Sequence, residues 1–286
     1  MRNLTEANLS DAVIAAMAGA QVARFKTIMT SLIRHLHTFI QEVNLTEAEW
    51  FAGIQFLTAV GQKCDDKRQE FILLSDTLGA TTMKDIINNR KPPGITEYTI
   101  LGPFHRPDAP EFSLSANIAG DIPGESVVMR GRVLAPNGSP IPNAMLDVWQ
   151  SDAEGFYDLQ MPNIKGTALR GVFQTDAEGN YIFHTIKPSY YPIPDDGPVG
   201  QMLKAMERHP YRPAHVHFIV SAQEYQPVTT ELFVSGDPYL DSDAVFGVRE
   251  SLVVPFVRNE SRDDAARLGV SAPFFTVDYD FVLEPV

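Results

Sequence analysis

The chain reads as an α+β protein, mainly β, in which a helical segment leads and an antiparallel β-sandwich or barrel follows. Three observations predict this. Apolar residues recur at spacings of three and four through much of the first ninety residues, the mark of amphipathic helix. Lys91-Pro92-Pro93-Gly94 then interrupts, because consecutive prolines and a glycine cannot continue a helix. Beyond it, short β-branched and aromatic runs alternate with turn residues, the texture of packed antiparallel sheet.

Taken in order, Val13, Met17, Val22, Phe25, Ile28, Met29, Leu32, Ile33 and Leu36 predict one amphipathic helix or two in series from Leu9 to about Val43, with His35 and His37 on the surface. Thr46 with Glu49 three residues on is a capping box, and it announces a second helix carrying Trp50, Ile54 and Leu57. A third helical stretch runs roughly from Asp66 to Asn88, with Gly79 as a break or cap. The junction to sheet falls between Lys91 and Pro110. Residues Val127 to Leu134 and Ala144 to Gln150 read as strands around a turn at Asn137-Gly138, with Pro136 and Pro140 making the connection longer than a two-residue hairpin. The sequences Asp152-Ala153-Glu154-Gly155 and Asp176-Ala177-Glu178-Gly179 echo each other as turns, each followed two residues later by a tyrosine, Tyr157 or Tyr181.

Composition bounds the function. The 286 residues carry 23 basic and 36 acidic side chains, a formal net charge of -13, which argues against sequence-independent nucleic-acid binding and favours a small-molecule substrate. No window offers ~18 uninterrupted apolar residues, and MRNLTEANLSDA lacks a basic start followed by an apolar run. The expectation is therefore no membrane span, no secretory signal, and a cytoplasmic location. Cys64 is the only cysteine, so any metal must be held by histidine and oxygen ligands.

The chemistry gathers around Arg212-Pro213-Ala214-His215-Val216-His217-Phe218. Alternation along a strand points His215 and His217 to one face, where they suit either a metal or a hydrogen-bonded pair. Gly155-Phe156-Tyr157 and the run from Tyr190 to Pro198 flank this motif in the sequence. Two imidazoles with two phenolates would form a hard, anionic nitrogen and oxygen set that favours a trivalent ion such as Fe(III). A phenol of ordinary pKa ~10 needs such a cation to ionise near neutrality.

These elements resemble the non-haem Fe(III) intradiol ring-cleavage dioxygenases that act on catechols. The matching motifs are GFY at Gly155 to Tyr157, YPIPDDGPVG at Tyr191 to Gly200, RHPYRPAHVHF at Arg208 to Phe218, and GDPYLDSDAVFGV at Gly236 to Val248, and their order and spacing extend the likeness over essentially the whole chain. The resemblance implies a helical N-terminal dimerisation and pocket-lid segment over residues 1–104 and a β-sandwich catalytic domain over residues 105–286. It implies that Tyr157, Tyr191, His215 and His217 hold Fe(III), with Tyr191 preferred to its neighbour Tyr190 and Tyr181 left as core. Arg212 would offset negative charge developing on the substrate, and Tyr191 would accept a substrate proton.

Within the family the chain is most similar to the hydroxyquinol-cleaving branch, on the cues LLSDTLG, Ile100 to Phe104 and YLDSDAVFGV. That branch takes benzene-1,2,4-triol and O2 to the ring-opened maleylacetate in aromatic-compound catabolism; catechol and chlorocatechol cleavage to cis,cis-muconates are the alternatives. In it Leu73, Asp76, Ile100, Leu101, Gly102, Pro103, Phe104, Ile193, Pro194 and Val245 would shape the pocket. The resemblance also implies a homodimer formed through the N-terminal helices, with a phospholipid at its interface. One departure is Glu231, where catechol-cleaving relatives commonly have glutamine. Two other classes compete: a cupin, which needs a further histidine downstream where this chain has none after His217, and a non-enzymatic transthyretin-like or carbohydrate-binding sandwich, which leaves the Tyr, Tyr, His, His set without a task.

Overall fold

The structure is a computed structural model that describes residues 2–66, 68–164 and 166–286. It divides into two compact units, one ending at Gln62 and one beginning at Lys63. The first holds α1 (Leu9–Ala15), α2 (Ala23–Glu42) and α3 (Glu47–Gln62). Of the alternatives before Val43, one helix or two in series, the second is realised, as α1 and α2. The capping box before α3 is also present: the Thr46 N–H donates to Glu49 Oε2 at 2.9 Å, and the Glu49 N–H returns to Thr46 Oγ1 at 3.3 Å. Along α2, Phe25, Ile28, Leu32, Leu36 and Phe39 form one apolar stripe at helical spacing, yet each is about half exposed.

The second unit begins with α4 (Glu70–Thr77) and α5 (Ala80–Asn88), which the sequence reading grouped with the N-terminal segment. Gly79 separates them at φ +72°, a left-handed conformation that glycine adopts without strain. Among the described residues, twelve strands and two further α-helices follow: β1 (Ser126–Leu134), β2 (Met145–Gln150), β3 (Arg170–Gln174), β4 (Asn180–Ile186), β5 (Tyr191–Pro192), α6 (Pro198–Ala205), β6 (Tyr211–Arg212), β7 (His215–Ser221), β8 (Val228–Val234), β9 (Val253–Val254), β10 (Val257–Asn259), α7 (Arg262–Leu268), β11 (Phe274–Asp278) and β12 (Phe281–Val282). They build two five-stranded sheets, β10-β11-β1-β12 with β4 on β1, and β3-β2-β7-β8-β9, plus the short pair β5-β6.

The two large sheets face each other as a sandwich. Val127, Met129, Phe183, Phe275 and Phe281 from one meet Leu146, Val148, Phe173, Val216, Phe218 and Leu232 from the other in one buried cluster. Tyr181 is part of that core, its hydroxyl donating to the Tyr279 carbonyl at 2.7 Å. Pairing is mostly antiparallel, but β1 runs parallel to β11 and β12, and β8 parallel to β9, so the sheets are mixed. The Asn137-Gly138 turn forms, with Gly138 at φ +83°, yet it carries the chain from one sheet to the other instead of closing a hairpin. The two DAEG turns share one geometry: Asp152 Oδ1 accepts the N–H groups of Glu154 and Phe156, and Asp176 Oδ1 those of Glu178 and Asn180. Among the described residues no helix is long and apolar enough to cross a membrane.

Candidate metal and substrate site

Strand β7 divides its side chains between two tasks. Val216, Phe218 and Val220 point into the sandwich core, so period-two alternation turns His215, His217 and Ile219 to the outer face of the sheet. Cross-strand register extends this outer layer on both sides. Trp149 of β2 pairs with His217 and lies flat against its ring, 4.7 Å between centroids at 6°, while Glu231 of β8 pairs with His217 from the other edge.

Loops bring the tyrosines to the same place. Gly155, at φ +90°, has no room for a side chain: a Cβ there would lie 2.8 Å from the Tyr191 Cβ and 2.9 Å from the Tyr190 carbonyl oxygen. That close approach draws the Tyr157 segment against Tyr191, and the two rings meet edge to face at 5.4 Å. Tyr191 is buried, paired with Arg212 in β5-β6, whereas Tyr190 is 41% exposed in an aromatic group with Tyr211 and Tyr239. The sequence preference for Tyr191 over Tyr190 thus coincides with which ring turns inward.

The polar atoms converge. His215 Nε2 lies 3.1 Å from His217 Nε2 and 3.3 Å from the Tyr157 hydroxyl, and the Tyr191 hydroxyl interacts with both Tyr157 and Arg212. His215 Nδ1–H donates to the Pro213 carbonyl at 2.7 Å, which leaves its Nε2 lone pair facing the other donors. All four residues are buried. Burial pushes the Tyr157 phenol well above its ordinary value, and Tyr191 reinforces the shift; burial also raises Tyr191, opposed there by Arg212 and Tyr157. Burial holds both imidazoles below their ordinary value, with Arg212 adding to the effect on each.

Arg212 is buried and doubly held. Its Nε and Nη2 donate to Asp243 at 3.1 and 3.2 Å, and its Nη1 and Nη2 to Glu231 at 2.8 and 3.3 Å. Burial alone would raise the Glu231 carboxyl, yet Arg212 and His215 hold it below the ordinary carboxylate range. Glu231, His215 and His217 each present a ligand-type atom within 4.8 Å of the others.

Of the expected pocket residues, Ile100, Ile193 and Val245 are buried in one apolar cluster against which Leu73 packs. Phe104 stacks on Tyr157 at 4.1 Å and 16°. Gly102, at φ +71°, brings its backbone so near His217 that a Cβ would lie 3.3 Å from the ring. Asp76 is half-buried; burial raises its carboxyl, while Thr81 and the charge of Arg212 pull it the other way. Leu101, Pro103 and Pro194 are exposed and outside that cluster. The sequence reading missed Trp149, Asp243 and the buried pair Asp158 and Arg170 behind Tyr157. Asp243 lay within a quoted motif, but Trp149 depends on strand register, which no local pattern reveals.

A family model described as Dioxygenase matches residues 100–285, and one described as Catechol dioxygenase N terminus matches residues 23–96. The chain is 51% identical to the hydroxyquinol 1,2-dioxygenase of a Rhizobium species, over 97% of this chain and 95% of that one. It is 49% identical to the 6-chlorohydroxyquinol 1,2-dioxygenase of Cupriavidus pinatubonensis, covering 100% and 99%. The solved structure of hydroxyquinol 1,2-dioxygenase from Pseudomonas putida superposes with a TM-score of 0.94 at 47% identity, covering 98% and 99%. With matches of this extent over both units, the chain belongs to the intradiol ring-cleavage dioxygenase family.

Proposed function

We propose that this enzyme cleaves hydroxyquinol, benzene-1,2,4-triol, with O2 between its adjacent hydroxylated carbons to give maleylacetate, using non-haem Fe(III) held by Tyr157, Tyr191, His215 and His217. The observation that carries the reading is the convergence of His215 Nε2 with its two neighbours at 3.1 and 3.3 Å. Donors about 2 Å from a common ion are separated by roughly 3 Å, so the spacing suits a shared metal. The donor chemistry agrees, since two buried phenols that burial keeps neutral need a strong cation to ionise. Ferric iron bound there would supply Lewis-acid polarisation and a template for the substrate's two adjacent hydroxyls.

The chain's own residues do the rest. Tyr191, beside the Arg212 guanidinium, is the phenolate best placed to accept a substrate proton at its Oη, and Arg212 then offsets the negative charge on the ring. Ile100, Ile193, Val245 and Leu73 exclude water and hold the ring by apolar contact. Asp76 supplies the preference for a triol, accepting a hydrogen bond from the third hydroxyl; its electrostatic contact with Arg212 supports a position beside the reacting centre. A site built to bond a hydroxyl rejects the analogue lacking it far more strongly than an apolar wall does.

The half-exposed stripe of α2 supports a homodimer through the N-terminal helices, with a phospholipid at the interface as a corollary that native mass spectrometry detects. The lone Cys64, which leaves no internal disulfide, accords with a cytoplasmic enzyme. The test of the substrate assignment is kcat/KM for hydroxyquinol and catechol, with product analysis, in the parent and in Asp76→Ala. The parent prefers hydroxyquinol, and Asp76→Ala narrows the preference by about tenfold or more, a difference of at least ~1.4 kcal/mol in transition-state stabilisation. A parent that prefers catechol refutes the substrate, and a variant that keeps the parent ratio refutes the role of Asp76.

A further inference from the structure

Glu231 is a buried carboxylate to which the proposed reaction gives no task. It lies directly across from His217 in the β7-β8 register, on the same outer face of the sheet. Three groups face its Oε1: Arg212 Nη1 at 2.8 Å, His215 Nε2 at 3.3 Å and His217 Nδ1 at 3.5 Å. Its Oε2 receives Arg212 Nη2 at 3.3 Å.

Two incompatible roles share these atoms. Two histidines and one carboxylate within 4.8 Å of one another could themselves ligate an ion, as in the two-histidine, one-carboxylate sites of ferrous oxygenases. Alternatively the carboxylate stands behind the ion and orients what does bind it. Geometry separates the two. The Nε2 atoms of both histidines turn toward each other at 3.1 Å, and that of His215 faces the Tyr157 hydroxyl and Glu231 Oε1 alike at 3.3 Å. At His217, however, the carboxylate meets the opposite nitrogen, Nδ1, so one ion could not take Glu231 and both Nε2 atoms without turning the carboxylate from His217 Nδ1 and from Arg212.

A neutral imidazole that presents Nε2 as a lone pair carries its proton on Nδ1, and that proton needs an acceptor. His215 meets this need through the Pro213 carbonyl. His217 Nδ1 is buried without a hydrogen-bond partner, and the carboxylate oxygen facing it, at 3.5 Å, is Glu231 Oε1. Both oxygens of that carboxylate are already engaged by Arg212, which would compete with any cation for them.

We infer that Glu231 is a positioning residue and not a ligand: it accepts a hydrogen bond from the Nδ1–H of His217, so keeping the proton on Nδ1 and presenting Nε2 to the ion, and it fixes Arg212 beside Tyr191. An electrostatic consequence accompanies this. One guanidinium, Arg212, faces two carboxylates, Glu231 and Asp243, leaving an excess of one negative charge at the edge of the site. That excess favours the ferric over the ferrous state.

The inference rests on the ferric reading, so the experiment separates the two. Metal-free parent, Glu231→Gln and Glu231→Leu are titrated with iron, and affinity, tyrosinate absorption and reduction potential are measured. Glu231→Gln keeps an acceptor oxygen, so it retains iron at the parent's stoichiometry while its potential shifts upward. Glu231→Leu loses iron affinity on the order of 10–100-fold. Iron loss in Glu231→Gln as severe as in Glu231→Leu would make Glu231 a ligand and overturn the inference, as would affinity and potential unchanged in both variants. Thermal melting of the metal-free forms identifies a leucine variant that does not fold; the near-isosteric glutamine variant then decides by its iron content and potential alone. A parent that takes up no iron and stays colourless overturns the ferric reading itself, a result distinct from any variant effect.

Discussion

Arg170→Met tests how the Tyr157 segment is held. Arg170 and Asp158 are both buried, and Asp158 directly follows Tyr157. The guanidinium donates to the carboxylate through Nε at 2.7 Å and through Nη2, and its Nη1 reaches the Phe104 carbonyl at 3.0 Å. One side chain thus ties down both the residue after Tyr157 and the backbone of Phe104, whose ring stacks on Tyr157. Removing it leaves the Asp158 carboxylate with the N–H groups of Leu159 and Ala168, at 2.9 and 3.2 Å, and with Arg106 Nη1 at 3.8 Å. Breaking a buried pair from one side costs ~3–5 kcal/mol. The residual donors and Arg106 place this case near the lower end, so ~3 kcal/mol and a fall in Tm of roughly 6–12 °C for a unit of this size. Denaturant unfolding of the metal-free parent, Arg170→Met, Asp158→Leu and the double variant measures it. The double variant is more stable than Arg170→Met alone, though below the parent, because two backbone N–H groups lose their acceptor. A cost under ~1 kcal/mol, or strict additivity in the cycle, refutes the reasoning.

Further outcomes follow from the same geometry. Tyr157→Phe loses most of its iron and colour, whereas Tyr191→Phe retains iron better but loses turnover, because Tyr191 is the proposed proton acceptor; equal iron loss in both, by metal analysis, contradicts the distinction. Leu32→Glu places a charge in the middle of the exposed α2 stripe and, if that stripe forms the proposed dimer interface, shifts the mass in solution from dimer toward monomer at micromolar concentration, as read by light scattering; a parent that is itself monomeric refutes the proposed dimer. Arg68 and Lys63 hold the Asp196 carboxyl at about 2, below its ordinary 3.8. Its contribution is therefore present above the unfolded pKa and lost as pH falls through about 2; with the side chain 65% exposed it amounts to ~0–1 kcal/mol. Asp196→Asn accordingly costs that much near neutrality, and the gap to the parent closes in acid, as unfolding curves across pH show.

Local signals were legible where a short sequence determines its own hydrogen bonds. Thr46 with Glu49 sets the start of α3, Gly79 separates α4 from α5, and each DAEG closes on its own aspartate. The preference for Tyr191 over Tyr190 rests on the family motif and not on a local signal; in the fold, strand β5 pairs Tyr191 with Arg212 and leaves Tyr190 outside. What escaped depends on partners far apart in the chain. The parallel union of β1 with β11 joins Val127 to Phe275, and neither strand's composition specifies the direction of the other. The Asn137-Gly138 turn carries an ordinary hairpin signal but changes sheets, an outcome decided by where β2 finds its neighbours. Asp158 and Arg170 carry no local pattern that marks them as a buried pair, because they meet only where the fold closes over them.

Part of the pocket wall stands on supports other than those that hold the proposed donors, although Ile193 directly follows the β5 strand of Tyr191 and Phe104 stacks on Tyr157. The proposed donors sit on β5, β7 and the turn after β2, elements tied into or against the sandwich. The side chains proposed to read the ring come partly from α4, through Leu73 and Asp76, and partly from the loop at Val245. Polar staples fasten these two to each other: Thr82 Oγ1 donates to the Val245 carbonyl at 2.9 Å, and Arg208 donates to the carbonyls of Thr77 and Ala244 at 2.6 and 3.0 Å while lying over the Phe246 ring. A substitution at Leu73, Asp76 or Val245 therefore alters the pocket wall without loosening a donor, because none of the staples is shared with Tyr157, Tyr191, His215 or His217. The exception is Arg212, whose second carboxylate, Asp243, begins the loop that carries Val245. Through that ion pair, and through the charge of Asp76 near Arg212, the wall and the reacting centre are coupled, so changes at Asp243 should move kcat and substrate preference together, whereas changes at Leu73 should move preference alone.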